Sequence, residues 1–212
     1  MEDLNERSTS TTHQEEDIDK KALGKAQQNV HHEKEDWQVK WGFDPGDCFT
    51  VFPLLPKLPG ESDSDRWSRS FVPLRDASEM LCIESNAMET LLREILEDRF
   101  DTSIDHGRGE MFPRYTLHFD WYFDNAYTVD SCRDICSLMR NAAKKLAELP
   151  RNTTVRIAAT GSIVACQPPE DDWWYPPTAA DARRNCLLIA KHLERIAASA
   201  ERQGATVSFS GP

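Results

Sequence analysis

The alternation of apolar and polar positions is clearest between Tyr115 and Phe123, where every second residue is large and apolar. The residues of the other parity are Thr116, His118, Asp120 and Tyr122. A period of two residues is typical of a β-strand that buries one face and leaves the other in water. We therefore predict a central strand over residues 115–123, with one dry face and one wet face.

Further strands are predicted where the same period recurs or where short apolar runs end at turn residues. They cover residues 37–43, 49–52, 79–84, 153–166 and 207–209. Gly161, inside the strand predicted over residues 153–166, indicates a bulge. The prolines of residues 53–60 are too dense for a helix or a central strand and predict an extended surface segment.

Three helices are predicted from apolar residues at three-and-four spacing. The predicted caps are Asn86 with Glu89, either Thr128 or Asp130, and Thr178 with Asp181. The first helix is expected to stop near Phe100, and Gly204 to end the last one. The predicted buried stripes are Met88, Leu91, Leu92, Ile95 and Leu96; Cys132, Ile135, Cys136, Met139, Ala142, Ala143 and Leu146; and Ala182, Cys186, Ile189, Leu193, Ile196, Ala197 and Ala200.

The fold class follows from the half-polar strands. Strands that alternate with helices usually form a parallel sheet, but parallel strands are apolar on both faces, and residues 115–123 are not. We predict an α+β fold in which helices pack on one face of a mainly antiparallel or mixed sheet. A flavodoxin-like three-layer α/β sandwich is the alternative.

The domain organisation follows from composition. Residues 1–36 are polar, with Leu4, Ile18, Leu23 and Val30 as their larger apolar residues, too few to offset the entropy of ordering. They are predicted to form a disordered acidic and polar tail. Residues 37–212 are predicted to form a single globular domain.

Charge and composition indicate which class of partner and which cellular compartment to expect. The net charge of −11 repels phosphate backbones and favours a basic protein partner over nucleic acid. The absence of a long apolar run predicts no membrane segment, and the acidic N-terminus predicts no signal peptide, so a cytoplasmic location is expected. The six cysteines are then expected to be reduced and mostly buried.

The wet face of the predicted central strand carries the first candidate for chemistry. His118 and Asp120 would project from that face two residues apart, so that the carboxylate could orient the histidine as a general base. A second acid–base group is His106 with Arg108 in a glycine-containing loop. A histidine and an aspartate on a solvated sheet face are more often without catalytic function, and the sequence has no glycine-rich phosphate loop, nucleophile elbow or metal motif. No cofactor or metal is predicted.

A candidate binding surface lies between two pairs of prolines. Its residues are Glu170, Asp171, Asp172, Trp173, Trp174 and Tyr175. Stiffened aromatic side chains with an acidic rim are typical of an interface hot spot. The alternative is that these aromatic side chains fold back over the sheet as a lid.

These features favour a non-enzymatic, acidic protein-binding module, an inhibitor or immunity-type neutraliser that occludes a basic partner such as a nuclease toxin. In this hypothesis Asp120, Asp124 and the carboxylates of residues 170–172 speed the encounter, and the aromatic residues 173–175 anchor the partner. One alternative is a small hydrolase or nuclease that uses a His/Asp pair on a sheet face. Another is a scaffold whose residues 1–36 fold on contact with a partner.

Overall fold

A computed structural model describes residues 38–39, 48–71, 79–109, 112–167 and 176–211, with the first two by their backbone alone. The chain divides by its internal contacts into Met1–Asp36 and Trp37–Pro212, and every described residue belongs to the second unit. The tail predicted for residues 1–36 therefore lies outside the described residues and stays a prediction.

Seven strands and five helices make up the described part of the chain. The strands are β1 (Gln38–Val39), β2 (Cys48–Leu54), β3 (Leu81–Glu84), β4 (Asn125–Tyr127), β5 (Val155–Ile157), β6 (Ile163–Ala165) and β7 (Thr206–Ser210). The helices are α1 (Asp63–Phe71), α2 (Ser85–Leu91), α3 (Arg93–Asp98), α4 (Val129–Leu146) and α5 (Ala179–Gln203), with a 3₁₀ turn at Pro113–Thr116.

The main sheet has the strand order β1-β3-β2-β7-β4 and is antiparallel except for the short parallel pair β1/β3. Its centre is the β2/β7 pair, in which Val51 lies opposite Phe209 and Phe52 opposite Ser208. Strands β5 and β6 form a separate antiparallel hairpin. The predicted α+β class with a mainly antiparallel sheet is confirmed.

The main core lies between one face of this sheet and helices α2 to α5. Phe49, Val51, Val207 and Phe209 point into it from the central strands and are fully buried. Every residue of the three predicted helical stripes is buried as well. Each large apolar side chain that leaves water completely contributes about 2 kcal/mol to folding, so this face supplies most of the stabilisation.

The second face of the sheet carries a smaller core that the sequence did not predict. Phe52, Leu54 and Ala126 are buried there against Trp67 and Phe71 of α1 and against Ile104. This covering explains why β2 is buried at both parities over residues 51–54. Helix α1 was missed because its apolar residues are few and its capping signal is short. Ser62 accepts a hydrogen bond from Asp65 N–H at 3.1 Å, as an N-cap does.

The predicted strand over residues 115–123 is wrong. This segment forms the 3₁₀ turn and a series of bends, and the adjacent strand is β4 at Asn125–Tyr127. Strand β4 pairs with β7 and so takes the edge position of the sheet. A strand needs hydrogen-bond partners as well as the correct alternation, and residues 115–123 pair with no other described strand.

The strand predicted over residues 153–166 is a hairpin, with β5 and β6 joined by a turn at Gly161. This glycine has φ +73°, a left-handed conformation that other residues adopt at a cost. The expected bulge is therefore a turn. The helix predicted after Asn86 starts at Ser85 without a side-chain cap and is interrupted at Leu92, between α2 and α3.

The other helix ends agree with the sequence. Thr128 accepts a hydrogen bond from Ser131 N–H, and Thr178 accepts one from Asp181 N–H. Gly204 ends α5 with φ 61°. In the part of the chain that the structure describes, no helix is both long and apolar enough to cross a bilayer.

The expectation of six reduced cysteines is wrong for one pair. Cys48 on β2 and Cys82 on β3 form a disulfide, with their Cα atoms 6.1 Å apart. The other four are free: Cys132, Cys136 and Cys186 are buried, and Cys166 is half-buried. The pairing was missed because it depends on the register of two strands, which brings together residues 34 positions apart.

The cap of α4 gives a direct test of the local structure. We expect Thr128→Ala to lower the free energy of unfolding by about 1 kcal/mol, because Ser131 N–H loses its acceptor. Thr128→Ser keeps the hydroxyl and should retain the wild-type value. Urea denaturation followed by circular dichroism measures both variants, and equal losses in the two would contradict this role of the hydroxyl.

Candidate functional site

His106 ties the loop that follows α3 to the second face of the sheet. The imidazole is 2% exposed and stacks on Phe100 with ring centroids 4.3 Å apart. Its Nδ1 accepts a hydrogen bond from Ala126 N–H at 2.9 Å, and its Nε2 lies 3.0 Å from the Asp101 carbonyl oxygen. Since a carbonyl only accepts, the ring is neutral with its proton on Nε2.

This arrangement makes His106 an anchor for the backbone. Burial lowers the pKa of His106, which favours the neutral form that the two hydrogen bonds require. Both ring nitrogens are engaged with backbone groups, so neither faces a substrate. The sequence-based suggestion of an acid–base group formed by His106 and Arg108 gains no support from this geometry.

Arg108 lies beside this anchor and is 3% exposed. Its Nη2 donates a hydrogen bond to the His118 carbonyl oxygen at 2.8 Å, and its guanidinium carbon lies 5.6 Å from the centroid of the Phe100 ring. The Nε and Nη1 atoms are buried without an acceptor. Burial lowers the pKa of Arg108, whereas Asp120 and Asp124 raise it by charge attraction.

Asp124 is the acidic counterpart of Arg108, and its Oδ1 atom is buried without a hydrogen-bond donor. Burial raises the pKa of Asp124, and the side chains of Ser210 and Trp67 together with the charge of Arg108 oppose that rise. Arg108 and Asp124 therefore act on each other electrostatically. They nevertheless form no ion pair with each other, although both lie in the described part of the chain.

A cleft of about 280 Å³ lies between these groups. We call it the Arg108 cleft. Helix α1 contributes Asp63 and Trp67 to its wall, and the other lining residues used below are Arg108, Phe112, Phe123 and Asp124. Asp63 is paired with Lys57 at 2.9 Å. The cleft thus has aromatic side chains in its wall together with one buried cation, Arg108, and two acidic residues, Asp63 and Asp124.

Residues 112–123, which we call the aromatic segment, contribute Phe112 and Phe123 to the wall of this cleft. Four of the six exposed large hydrophobic residues in the described ranges belong to the aromatic segment. Leu117 is 69% exposed and Tyr122 is 72% exposed, and Phe112 and Tyr115 complete the set. Phe112, Tyr115 and Phe123 contact one another through their rings and form an aromatic cluster.

The aromatic segment is held by contacts with the end of the sheet. Asn125 accepts a hydrogen bond from Asp120 N–H and donates to the carbonyl oxygens of Asp120 and Phe123. Asp120 Oδ1 accepts a hydrogen bond from Tyr122 N–H at 2.9 Å. Gly211, just after β7, approaches so closely that a Cβ there would overlap the Trp121 carbonyl oxygen. These contacts fix the turn that presents Tyr122.

The structure places His118 on a bend of this segment and Asp120 in irregular backbone two residues later. His118 is exposed and Asp120 is half-buried, and the sheet face on which we expected them is absent because residues 115–123 are not a strand. The Asp120 carboxylate is used in the turn to Tyr122. A catalytic role for His118 and Asp120 stays a prediction without the geometry that motivated it.

The binding candidates divide between the cleft and a part of the chain that is not described. Asp124 lines the cleft, Asp120 lies on the aromatic segment, and both act on Arg108 by charge. Residues 170–175, which include the three predicted aromatic anchors Trp173, Trp174 and Tyr175 and the acidic Glu170, Asp171 and Asp172, lie outside the described residues. Their role as a recognition loop stays a prediction.

The sequence reasoning missed Trp67, Phe112 and Leu117 as site residues. Trp67 and Phe71 are one helical turn apart, so their spacing could have indicated a helix over residues 63–71. No local signal predicts that this helix packs beside Arg108, because the contact joins segments about forty residues apart in the chain.

Comparisons with known proteins assign no function to this chain. The chain matches no protein-family model, and no curated protein or solved structure is significantly similar to it. Among the described residues, no three His, Cys, Asp or Glu side chains gather as a metal site would require.

The buried histidine predicts a pH dependence of stability. Because the pKa of His106 in the folded chain lies below its ordinary value of 6.5, the unfolded chain takes up the proton first as the pH falls. Its contribution is complete above that ordinary value and is lost as the pH falls towards the folded-state pKa. We expect His106→Gln to flatten the slope of unfolding free energy between about pH 7 and about pH 5.

Urea denaturation at several pH values measures this slope. The exposed residue His118 provides the control, since His118→Gln should leave the slope close to that of the wild type. An unchanged slope in His106→Gln would show that His106 does not cause the dependence.

Proposed function

We propose that this chain is a non-enzymatic protein-binding module whose interface is the aromatic segment with the Arg108 cleft behind it. The observation that carries the proposal is the concentration of exposed apolar side chains in residues 112–123. Exposed apolar residues scattered singly need no explanation, whereas a cluster beside a cleft is typical of an interaction site. Tyrosine and phenylalanine are also enriched among interface anchors.

The hydrogen bonds that hold the aromatic segment in place support a role in binding a partner. The hydrogen bonds of Asn125 and Asp120 order the backbone before a partner arrives, so binding loses less conformational entropy. The rings of Phe112, Tyr115 and Phe123 contact one another, which restrains two of the exposed side chains. A binding surface built in this way needs no reactive group, and this agrees with the structural use of His106 and Asp120.

Charge favours a basic protein as the partner. The net charge of −11 attracts cations at long range, and Asp120 and Asp124 lie at the proposed interface. The specific form of the proposal is an inhibitor or immunity-type protein that covers the functional surface of a basic partner. Residues 170–175, which lie outside the described residues, are proposed as further carboxylates and aromatic anchors for the partner.

A cytoplasmic location belongs to this proposal. Free and largely buried thiols at Cys132, Cys136 and Cys186 suit a reducing compartment. The disulfide between Cys48 and Cys82 would be open to reduction there, so the oxidation state of this pair in cells is a direct check on the location.

The interface is tested by removing its two most exposed side chains. The double variant Leu117→Ser/Tyr122→Ser should bind the partner at least about thirtyfold more weakly, as expected for loss of hot-spot contacts worth about 2 kcal/mol or more. Its thermal stability should match the wild type because both side chains are largely in water. Leu187→Ser, at an exposed position on α5, is the matched control and should bind normally.

The measurement starts with a pull-down from native cells, in which wild type and both variants are compared at two salt concentrations by mass spectrometry. Proteins retained by wild type and Leu187→Ser but lost by the double variant are then purified for calorimetric titration. Weaker binding at high salt is expected for a basic partner. A partner that binds the double variant as tightly as the wild type would overturn the proposed interface.

A further inference from the structure

We propose that a pocket where the end of α4 meets the start of α5 binds a carboxylate carried on an apolar stem. The pocket has a volume of about 460 Å³ and is lined by Leu146, Ala147, Leu149, Arg151, Ala180 and Arg183. We call it the Arg183 pocket. These residues belong neither to the aromatic segment nor to the Arg108 cleft, so this inference stands apart from the proposed function.

A backbone contact between two segments brings two arginines to this pocket. Arg151 follows the end of α4, and its carbonyl oxygen accepts a hydrogen bond from Ala180 N–H at 3.3 Å. Arg183 comes three residues after Ala180, and residues three apart lie on the same side of a helix. Arg151 and Arg183 therefore line one pocket from two segments of the chain, and both are exposed to solvent.

These two arginines lack the acidic partners that other arginines nearby have. Within the described part of the chain, neither Arg151 nor Arg183 forms an ion pair. Both arginines of α4 are paired with glutamates of α5, Arg133 with Glu201 and Arg140 with Glu194. Two positive charges that line one pocket without a counter-charge repel each other, and an anion bound between them relieves that repulsion.

The charge around the pocket is opposite in sign to that of the whole chain. Residues 144–151 and 179–184 carry five basic and two acidic side chains, whereas the chain has a net charge of −11. Of the two acidic residues, Asp181 pairs with Arg184 at 3.4 Å and Glu148 is exposed. A single anion is therefore attracted locally, while the rest of the chain repels a polyanion such as nucleic acid.

The arginine side chains, and not the backbone at the start of α5, are available to such an anion. Ala179 N–H donates to the Thr153 carbonyl oxygen at 2.7 Å. Asp181 N–H donates to the Thr178 hydroxyl at 3.2 Å, and the N–H group between them is bound to Arg151. The backbone donors of the first turn are thus in use. A guanidinium presents parallel N–H donors that match the two oxygens of a carboxylate.

The remainder of the pocket wall is apolar and favours a ligand with a stem. Ala147 is exposed, and Leu149 and Ala180 are half-buried, so all three retain contact with solvent. Removing apolar surface from water favours binding. A small anion such as acetate or phosphate gains the charge interaction alone, whereas an acid with a stem of several carbon atoms also covers this wall.

The test titrates the full-length ¹⁵N-labelled chain with hexanoate. We expect saturable shifts of the backbone amide resonances of Ala147 and Arg183. Hexanamide keeps the stem without the charge, and acetate keeps the charge without the stem, so each should bind at least about tenfold more weakly. Equal affinity for the three probes, or no saturable shift with hexanoate, would overturn the inference.

Single substitutions test the two arginines. Arg183→Gln and Arg151→Gln should each weaken hexanoate binding at least about tenfold, with unchanged thermal stability because both side chains are exposed. Arg195→Gln is the matched control, since Arg195 is an exposed residue of α5 outside the pocket, and it should bind hexanoate as the wild type does. Wild-type affinity in both pocket variants, or an equal loss in the control, would contradict the site.

A carboxylate on an apolar stem can come from a free organic acid or from the C-terminus of a peptide. Hexanoate represents the first source and N-acetylleucine the second. Tighter binding of hexanoate assigns the pocket to a free acid, and tighter binding of N-acetylleucine assigns it to a peptide terminus. Inorganic phosphate that binds more tightly than either probe would overturn the choice of a carboxylate.

Discussion

Burial of Phe52, Leu54 and Ala126 on the second face of the sheet is the interaction on which the site depends. These side chains require a cover, and Trp67 of α1 provides part of it. Helix α1 in turn reaches the loop after α3 through Arg66, which donates to Asp105 at 2.6 Å. The hydrophobic requirement of one sheet face therefore brings α1 and the loop together, and the Arg108 cleft lies between them.

The same burial keeps the polar groups near the cleft largely out of water, which changes how strongly they interact. A hydrogen bond or charge interaction in a dry environment is stronger than in water, and an unpaired group is more costly. His106 is fully satisfied by the backbone and stabilises the loop. Arg108 and Asp124 are only partly satisfied, and partly satisfied buried polar groups are uncommon in a native protein.

We propose recognition of a partner as the role of the site. Four of its exposed residues are large and apolar, His106 is hydrogen-bonded to the backbone, and His118 is exposed. The ordered turn at Asp120 and Asn125 presents Tyr122 to solvent beside a cleft of defined polarity. An apolar rim around a small polar pocket resembles the centre of a protein interface, where an anchor enters a desolvated pocket.

The sequence by itself determined the elements whose hydrogen bonds are internal. Helices α4 and α5, their caps at Thr128 and Thr178 and their buried stripes were predicted correctly, because a helix closes its bonds within a few residues. The α+β class and strand β7 followed from the same patterns. The choice of Asp120 and Asp124 as binding candidates rests on charge and stays a prediction.

Tertiary structure decided everything that depends on a distant neighbour. Residues 115–123 have the period of a strand, but β4 takes the place beside β7, and alternation cannot indicate whether a sheet edge is available. The Cys48–Cys82 bond, the packing of α1 and the separation of Arg108 from Asp124 are likewise set by which segments meet. Local sequence fixes local hydrogen bonds, whereas the site is made by contacts between segments far apart in the chain.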